Sequence, residues 1–131
     1  MGLDNYPRPY PCEVLGYAVY TNDGKINCDE VPCPFKNIGH VIGILGTWCW
    51  IRGGYYNHIV EEATNGEYSL YADLTLDDLK KVLDAVKVYC MAEHGDFNDC
   101  AELIRYLETL ISEVEKFPED TRKEFRLVAW W

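Results

Sequence analysis

The sequence predicts an α+β fold, a small and mostly antiparallel sheet packed against two antiparallel helices, with one further short helix. Three observations carry this. The second half holds two long amphipathic stripes, the first half holds β-branched and aromatic segments, and Phe125 to Trp131 closes the chain as a short β-prone stretch. Strands followed by helices and a last strand argue for α+β. The chain has 131 residues and is 48% apolar. It is therefore expected to be a single domain, 1–131, able to bury roughly two-thirds of its unfolded surface without a staple.

The elements are justified in order. Residues 1–12 carry Pro7, Pro9 and Pro11 and are expected to be extended, since proline disfavours helix at itself and just before it. Glu13 to Thr21, with Val14, Tyr17, Val19 and Tyr20, reads as a strand. Asn22-Asp23-Gly24 is a turn signal. Ile26 to Asn37 is irregular. His40 to Trp50 reads as a second strand, interrupted by Gly43 and Gly46. Gly53-Gly54 leads into a short helix, Tyr55 to Ala63, which Asn65-Gly66 stops. Tyr68 to Tyr71 is a brief extended piece.

The two long helices are expected at Thr75–Ala92 and Phe97–Phe117. Thr75 is a good N-cap, with Asp77 and Asp78 in the first turn. Leu76, Leu79, Leu83, Val86 and Cys90 recur at helical spacing, as do Phe97, Cys100, Ile104, Leu107, Ile111 and Val114. Gly95 ends the first stripe, Asp96 can cap the second, and Pro118 ends it. The last strand is expected to return to the sheet and tie down Trp130 and Trp131.

Composition narrows the function classes. No apolar run approaches ~20 residues, so no membrane span is expected. The proline-rich start is unlike a signal peptide, which makes the cytoplasm the expected compartment. Net charge is −10, which disfavours broad contact with nucleic acid or anionic membranes and permits docking on a basic protein. A local basic pocket can still hold an anion inside an acidic shell, because exposed charges are screened beyond ~8–10 Å. Six cysteines without a secretion signal suggest thiols or metal rather than disulfides.

Three constellations could carry chemistry. Cys12, Cys28 and Cys33, with His40 or Cys49 as a fourth group, could hold a structural zinc. Four residues separate Cys28 from Cys33, and thiolate and imidazole suit that ion. Otherwise they are thiols without a metal. The second constellation is Arg52, Gly53, Gly54 and His58, flanked by Trp50 and Tyr55. A glycine turn exposes amides, Arg52 can grip a phosphate or carboxylate by two bonds, and aromatics can stack on a flat ring. These residues suit a nucleotide-like anion, or equally a tight turn with Arg52 paired to Asp4 and the aromatics in the core. Third, His94 lies between Cys90 and Cys100. With His58 or Asp99 it could share a metal with Cys90, or it could simply sit at a helix C-terminus. Arg122, Lys123 and Arg126 form a basic cluster that could line the same site as Arg52 or simply balance Glu119, Asp120 and Glu124. The glycine spacing of a P-loop and the serine elbow of a hydrolase are both absent.

The chain begins Met1-Gly2-Leu3-Asp4. It then carries Trp50, Arg52 and His58, the turn Asn65-Gly66, Tyr71, the capping Thr75, a leucine-rich helix and a terminal strand closing in Trp130 or Trp131. In this order of motifs it resembles a family of small phage and prophage proteins of uncharacterised role that open with Met-Gly-Leu-Asp. It departs from that pattern by inserting Ile51 between Trp50 and Arg52, and by its cysteines. The resemblance implies a phage-linked accessory protein, one that could counter host defence, and transfers no mechanism.

These readings favour a non-enzymatic binding protein. Its ligand is expected to be a small nucleotide-like anion at Arg52, His58 and the neighbouring aromatics. The alternatives are an acidic inhibitor that covers a basic host protein, and a zinc-stabilised interaction module. Homo-oligomerisation is left open by the sequence.

Overall fold

Two five-residue strands from opposite ends of the chain pair with each other. In the computed structural model, which describes residues 3–28, 30–36, 38, 49–92 and 97–130, β1 (Asp4–Arg8) runs antiparallel to β2 (Arg126–Trp130). The register places Asp4 opposite Trp130 and Arg8 opposite Arg126. A single bridge extends the sheet on each side. Asn5 exchanges backbone bonds of 3.0 and 2.9 Å with Ile51, and Leu74 exchanges bonds of 3.0 and 2.8 Å with Leu127. The last strand thus returns as expected. Trp130 rests edge-on against Trp50 at 5.3 Å while remaining half-exposed. Trp131 lies outside the described residues.

Helices supply the rest of the architecture: α1 (Pro11–Val14), α2 (Gly53–Ala63), α3 (Leu76–Met91), α4 (Phe97–Val114) and α5 (Glu119–Glu124). The α3 start follows from its chemistry. The Thr75 hydroxyl accepts from the Asp78 amide at 3.1 Å, and the Asp78 carboxylate accepts from the Thr75 amide at 3.0 Å. This capping box satisfies two amides that the helix itself leaves without partners. Leu79, Val82 and Val86 of α3 are buried against Leu103, Tyr106, Leu107 and Leu110 of α4 in one core, which also takes in Ile59, Val60, Phe125 and Leu127. Leu83 and Ile104 are half-buried against it.

Several expectations are corrected. The strand expected over Glu13 to Thr21 is not formed. Pro11 sits at the first helical position, where its missing N–H is harmless, and starts α1 instead. The Cys12 carbonyl then accepts from both Tyr17 and Ala18, and Gly16 adopts the left-handed φ of +81° that lets the chain reverse. Of that strand only the Tyr20–Ile26 bridge remains, closed by the expected turn at Asn22-Asp23-Gly24. The Tyr68 to Tyr71 segment, expected to be a brief extended piece, turns at Leu70 and Tyr71. The strand expected at His40 to Trp50 falls outside the described residues as far as Trp48. Helix α5 is an addition to the expected elements, because its six residues, all polar or charged, carry no apolar stripe.

The cysteines also require a correction. Cys90 and Cys100 form a disulfide joining α3 to α4. Adjacent packed helices hold their Cα atoms 6.0 Å apart, within the range a disulfide spans. Cys90 is therefore excluded as a metal ligand. His94, its proposed co-ligand, lies outside the described residues.

Candidate functional site

The residues around Gly53-Gly54 are drawn into the fold. Asn5, fully buried in β1, places its side-chain carbonyl against Gly53, where a Cβ atom would come within 1.8 Å of it. The Gly54 amide donates to the Leu3 carbonyl at 3.2 Å. That amide, which could have faced an anion, is engaged. Trp50 is buried, stacked on Tyr6 at 4.5 Å, and donates its indole N–H to Tyr10 at 2.9 Å. Tyr55 is exposed and donates to Asp99 at 2.9 Å, while buried Tyr56 donates to Glu102 at 2.6 Å, so both hydroxyls tie α2 to α4.

Arg52 and His58 are exposed. Arg52 lies close enough to Asp4 for its charge to act on that carboxyl. Desolvation raises the Asp4 pKa, and the guanidinium opposes the rise. Trp50, Gly53 and Gly54 thus pack or bond internally, which leaves Arg52 and His58 without an aromatic platform formed by Trp50.

Sequence reasoning gave Asn5 and Asn57 no role. Asn5 donates its amide to the Leu70 carbonyl at 2.8 Å, and Asn57 accepts from the Leu70 amide at 2.7 Å. Two buried side chains, one on β1 and one on α2, thereby hold both backbone groups of a single loop residue. Among the described residues the Asn5 carbonyl oxygen has no hydrogen-bond partner.

The basic cluster assembles elsewhere. An open cleft of about 500 Å³ lies between the start of α3 and the α4–α5–β2 region. Lys80, Arg122, Lys123 and Arg126 line it, together with Thr75 and the carboxylates of Asp77 and Glu115. Both arginines are anchored by backbone oxygens: Arg122 donates to Glu115 at 3.2 Å, and Arg126 donates to Phe125 at 2.6 Å and to Lys123 at 3.0 Å. Those bonds use one nitrogen of each guanidinium, a group with five N–H donors in a fixed fork. Lys80 leans 3.6 Å from Glu115 and Lys123 lies 3.4 Å from Glu119. Arg122, Lys123 and Arg126 stand out in the sequence. Lys80 and Thr75 join them only through the packing of α3 on α4.

A second, much smaller cavity is lined by Cys12, Cys28, Cys33 and Cys49. These four remain thiols. Its other walls are largely apolar, including Ile26, Val31 and Phe35. Burial pushes the Cys12 thiol up to about 11, with the nearby Glu13, Cys28 and Cys33 adding to the rise. Cys33 and Cys49 are raised by burial first and by neighbouring thiols as well. The cavity brings Cys12, Cys28 and Cys33 together as the sequence suggested, with Cys49 as the fourth member. His40, the other candidate, lies outside the described residues. Among the described residues no three His, Cys, Asp or Glu side chains are gathered in a formed metal-binding group.

No family model, curated protein or solved structure matches this chain. Among the described residues no helix is long and apolar enough to cross a membrane.

Proposed function

We propose that this is a non-enzymatic accessory protein that captures a small, multiply charged anion in the cleft lined by Lys80, Arg122, Lys123 and Arg126. One observation carries the reading. Four of the twelve Lys and Arg residues of a protein with net charge −10 line a single cleft, against two carboxylates. Such a concentration attracts an anion locally, while the acidic surface repels polyanions at longer range. The anchored guanidinium forks suit phosphate or carboxylate oxygens. Among the described residues no aromatic side chain lines the cleft. A nucleotide would therefore be held through its phosphates, with a base stacking at most on an arginine. The link to phage biology rests on the family resemblance alone.

Calorimetric titration with pyrophosphate and with a nucleoside triphosphate tests this. Binding of either should weaken at least tenfold in Arg122→Gln and in Arg126→Gln, and should be unchanged in Arg52→Gln. No measurable binding, or equal loss in all three variants, would overturn the assignment to this cleft.

The net charge also favours a second reading, an inhibitor whose acidic surface covers a basic protein. Such a complex would dissociate steeply with added salt and would be indifferent to Arg122→Gln.

A further inference from the structure

We propose that the outward face of the β1–β2 ribbon holds the base of a nucleoside polyphosphate whose phosphates lie in the basic cleft, with Trp130 as the stacking surface. The inference rests on the cleft reading above and adds the class of ligand. Alternating burial along the two strands turns Asn5, Pro7 and Leu127 inward. On the outward face the register sets Arg8 directly opposite Arg126, Tyr6 opposite Val128 and Asp4 opposite Trp130. Side chains so placed stand ~4.5–5.5 Å apart at Cβ.

The arginine pair is the first argument. Like charges directly opposite on one sheet face destabilise the pairing. Among the described residues neither Arg8 nor Arg126 forms an ion pair with a carboxylate. An anion held between them removes that repulsion. Arg126 also lines the cleft, so Arg8 carries the basic surface from the cleft onto the sheet.

The aromatic row is the second argument. Tyr6 stacks on Trp50 at 4.5 Å, and Trp130 meets Trp50 at 5.3 Å and 80°. Trp50 is itself buried and tied to Tyr10 by its indole N–H, so Trp130 stands on a fixed support. That contact takes at most one face of the Trp130 indole, and the residue is 50% exposed. An exposed ring beside arginines is the combination that stacks a base and grips its phosphates. Reach is the third argument. From Arg126 to Trp130 is four residues of strand, ~13 Å. A sugar and an extended chain of phosphates span that distance, whereas a single phosphate on a sugar falls short. Within the cleft a base finds at most an arginine; past Arg126 the same strand offers Trp130.

Calorimetric titration of the full chain with inorganic tripolyphosphate and with adenosine triphosphate separates the two contributions. The nucleotide should bind about fivefold tighter or more, the low end of what stacking one base contributes. Trp130→Ala should remove that advantage and leave tripolyphosphate binding unchanged, while Trp130→Phe should keep most of it. Arg8→Gln should weaken both ligands. Because the first comparison uses the wild-type chain, a variant that fails to fold leaves the test intact. A nucleotide that binds no tighter than tripolyphosphate, an advantage that survives Trp130→Ala, or no change for either ligand in Arg8→Gln overturns this inference and leaves the cleft reading standing. Tripolyphosphate that does not bind overturns the cleft reading and this inference with it.

Discussion

The adjacent glycines at the start of α2 should respond in opposite directions to the same substitution. In Gly53→Ala the new Cβ would stand 1.8 Å from the Asn5 carbonyl oxygen, 2.9 Å from a Leu3 methyl and 3.0 Å from Asn5 Cγ. Asn5 cannot simply turn aside. Its side-chain amide is bonded to the Leu70 carbonyl at 2.8 Å, and its backbone is bridged to Ile51 on both sides. Rotating the side chain leaves buried polar groups without partners, which costs ~1–3 kcal/mol. Moving β1 away from α2 costs ~1–3 kcal/mol as overpacking does elsewhere. Against this stands a gain of at most ~1 kcal/mol from replacing a helical glycine by alanine. Taking one route or the other, the expected net loss is ~1–3 kcal/mol, centred near ~2. For 131 residues, an unfolding entropy of ~2.1 cal/mol/K per residue converts ~2 kcal/mol to a fall of ~7 °C in Tm. At Gly54 the nearest atoms to a new Cβ lie at 3.6, 3.7 and 3.9 Å, which is ordinary contact. Gly54→Ala should therefore be neutral, or stabilising by up to ~1 kcal/mol. Thermal and urea unfolding of the three proteins side by side gives the answer. If Gly53→Ala melts within about 2 °C of wild type, or no lower than Gly54→Ala, the close approach of Asn5 to α2 is wrong.

Two further outcomes are expected. Replacing both Cys90 and Cys100 by serine should lower stability by up to ~2.7 kcal/mol, the loop-closure entropy for ten residues of separation, and urea midpoints that match wild type in magnitude and slope would contradict it. Alkali should destabilise the fold between pH 10 and 12. Burial lifts the Tyr10 hydroxyl from its ordinary 10.0 to about 12. Folded protein thus keeps a proton that the unfolded chain releases, so this stabilisation is complete below pH 10 and is lost as pH rises through 12. Buried Tyr106, raised in the same direction and bonded to the Cys49 carbonyl at 2.6 Å, adds to the effect. A urea midpoint that stays flat through this window, with tyrosinate absorbance rising as for free tyrosine, would count against it.

How much of this was legible in the chain depends on the range of the interactions. Helices α3 and α4 announce themselves because their signals are local: Thr75 and Asp78 cap within three residues, and the leucine stripes repeat every turn. The closing strand was legible from its composition. Glu13 to Thr21 misled because a β-like composition lost to Pro11 and Gly16, whose backbone preferences favour a single helical turn and a reversal. Gly53-Gly54 read equally as an anion cradle or a tight internal turn, and what places it in the fold is Asn5, a contact that nothing in either segment announces. The basic cleft was half visible, since Arg122, Lys123 and Arg126 are close in sequence and Lys80 is brought in by tertiary packing. That Cys12, Cys28 and Cys33 line one cavity with Cys49 was only partly legible, since their positions in sequence do not fix how the loop folds back.

The pairing of residues 4–8 with residues 126–130 imposes an order on assembly. Contacts this remote in sequence must close all the chain between them before they yield any stabilisation. The α3–α4 pair, whose contacts are far more local, can form before β1 has its strand partner. On the ribosome β1 can meet Ile51 and Trp50 early, but its other edge must wait until the last strand has emerged. Synthesis rate and chaperone access over that interval therefore bear on the yield of native protein, and a chain cut short before Arg126 would keep its helical pair and lose its sheet.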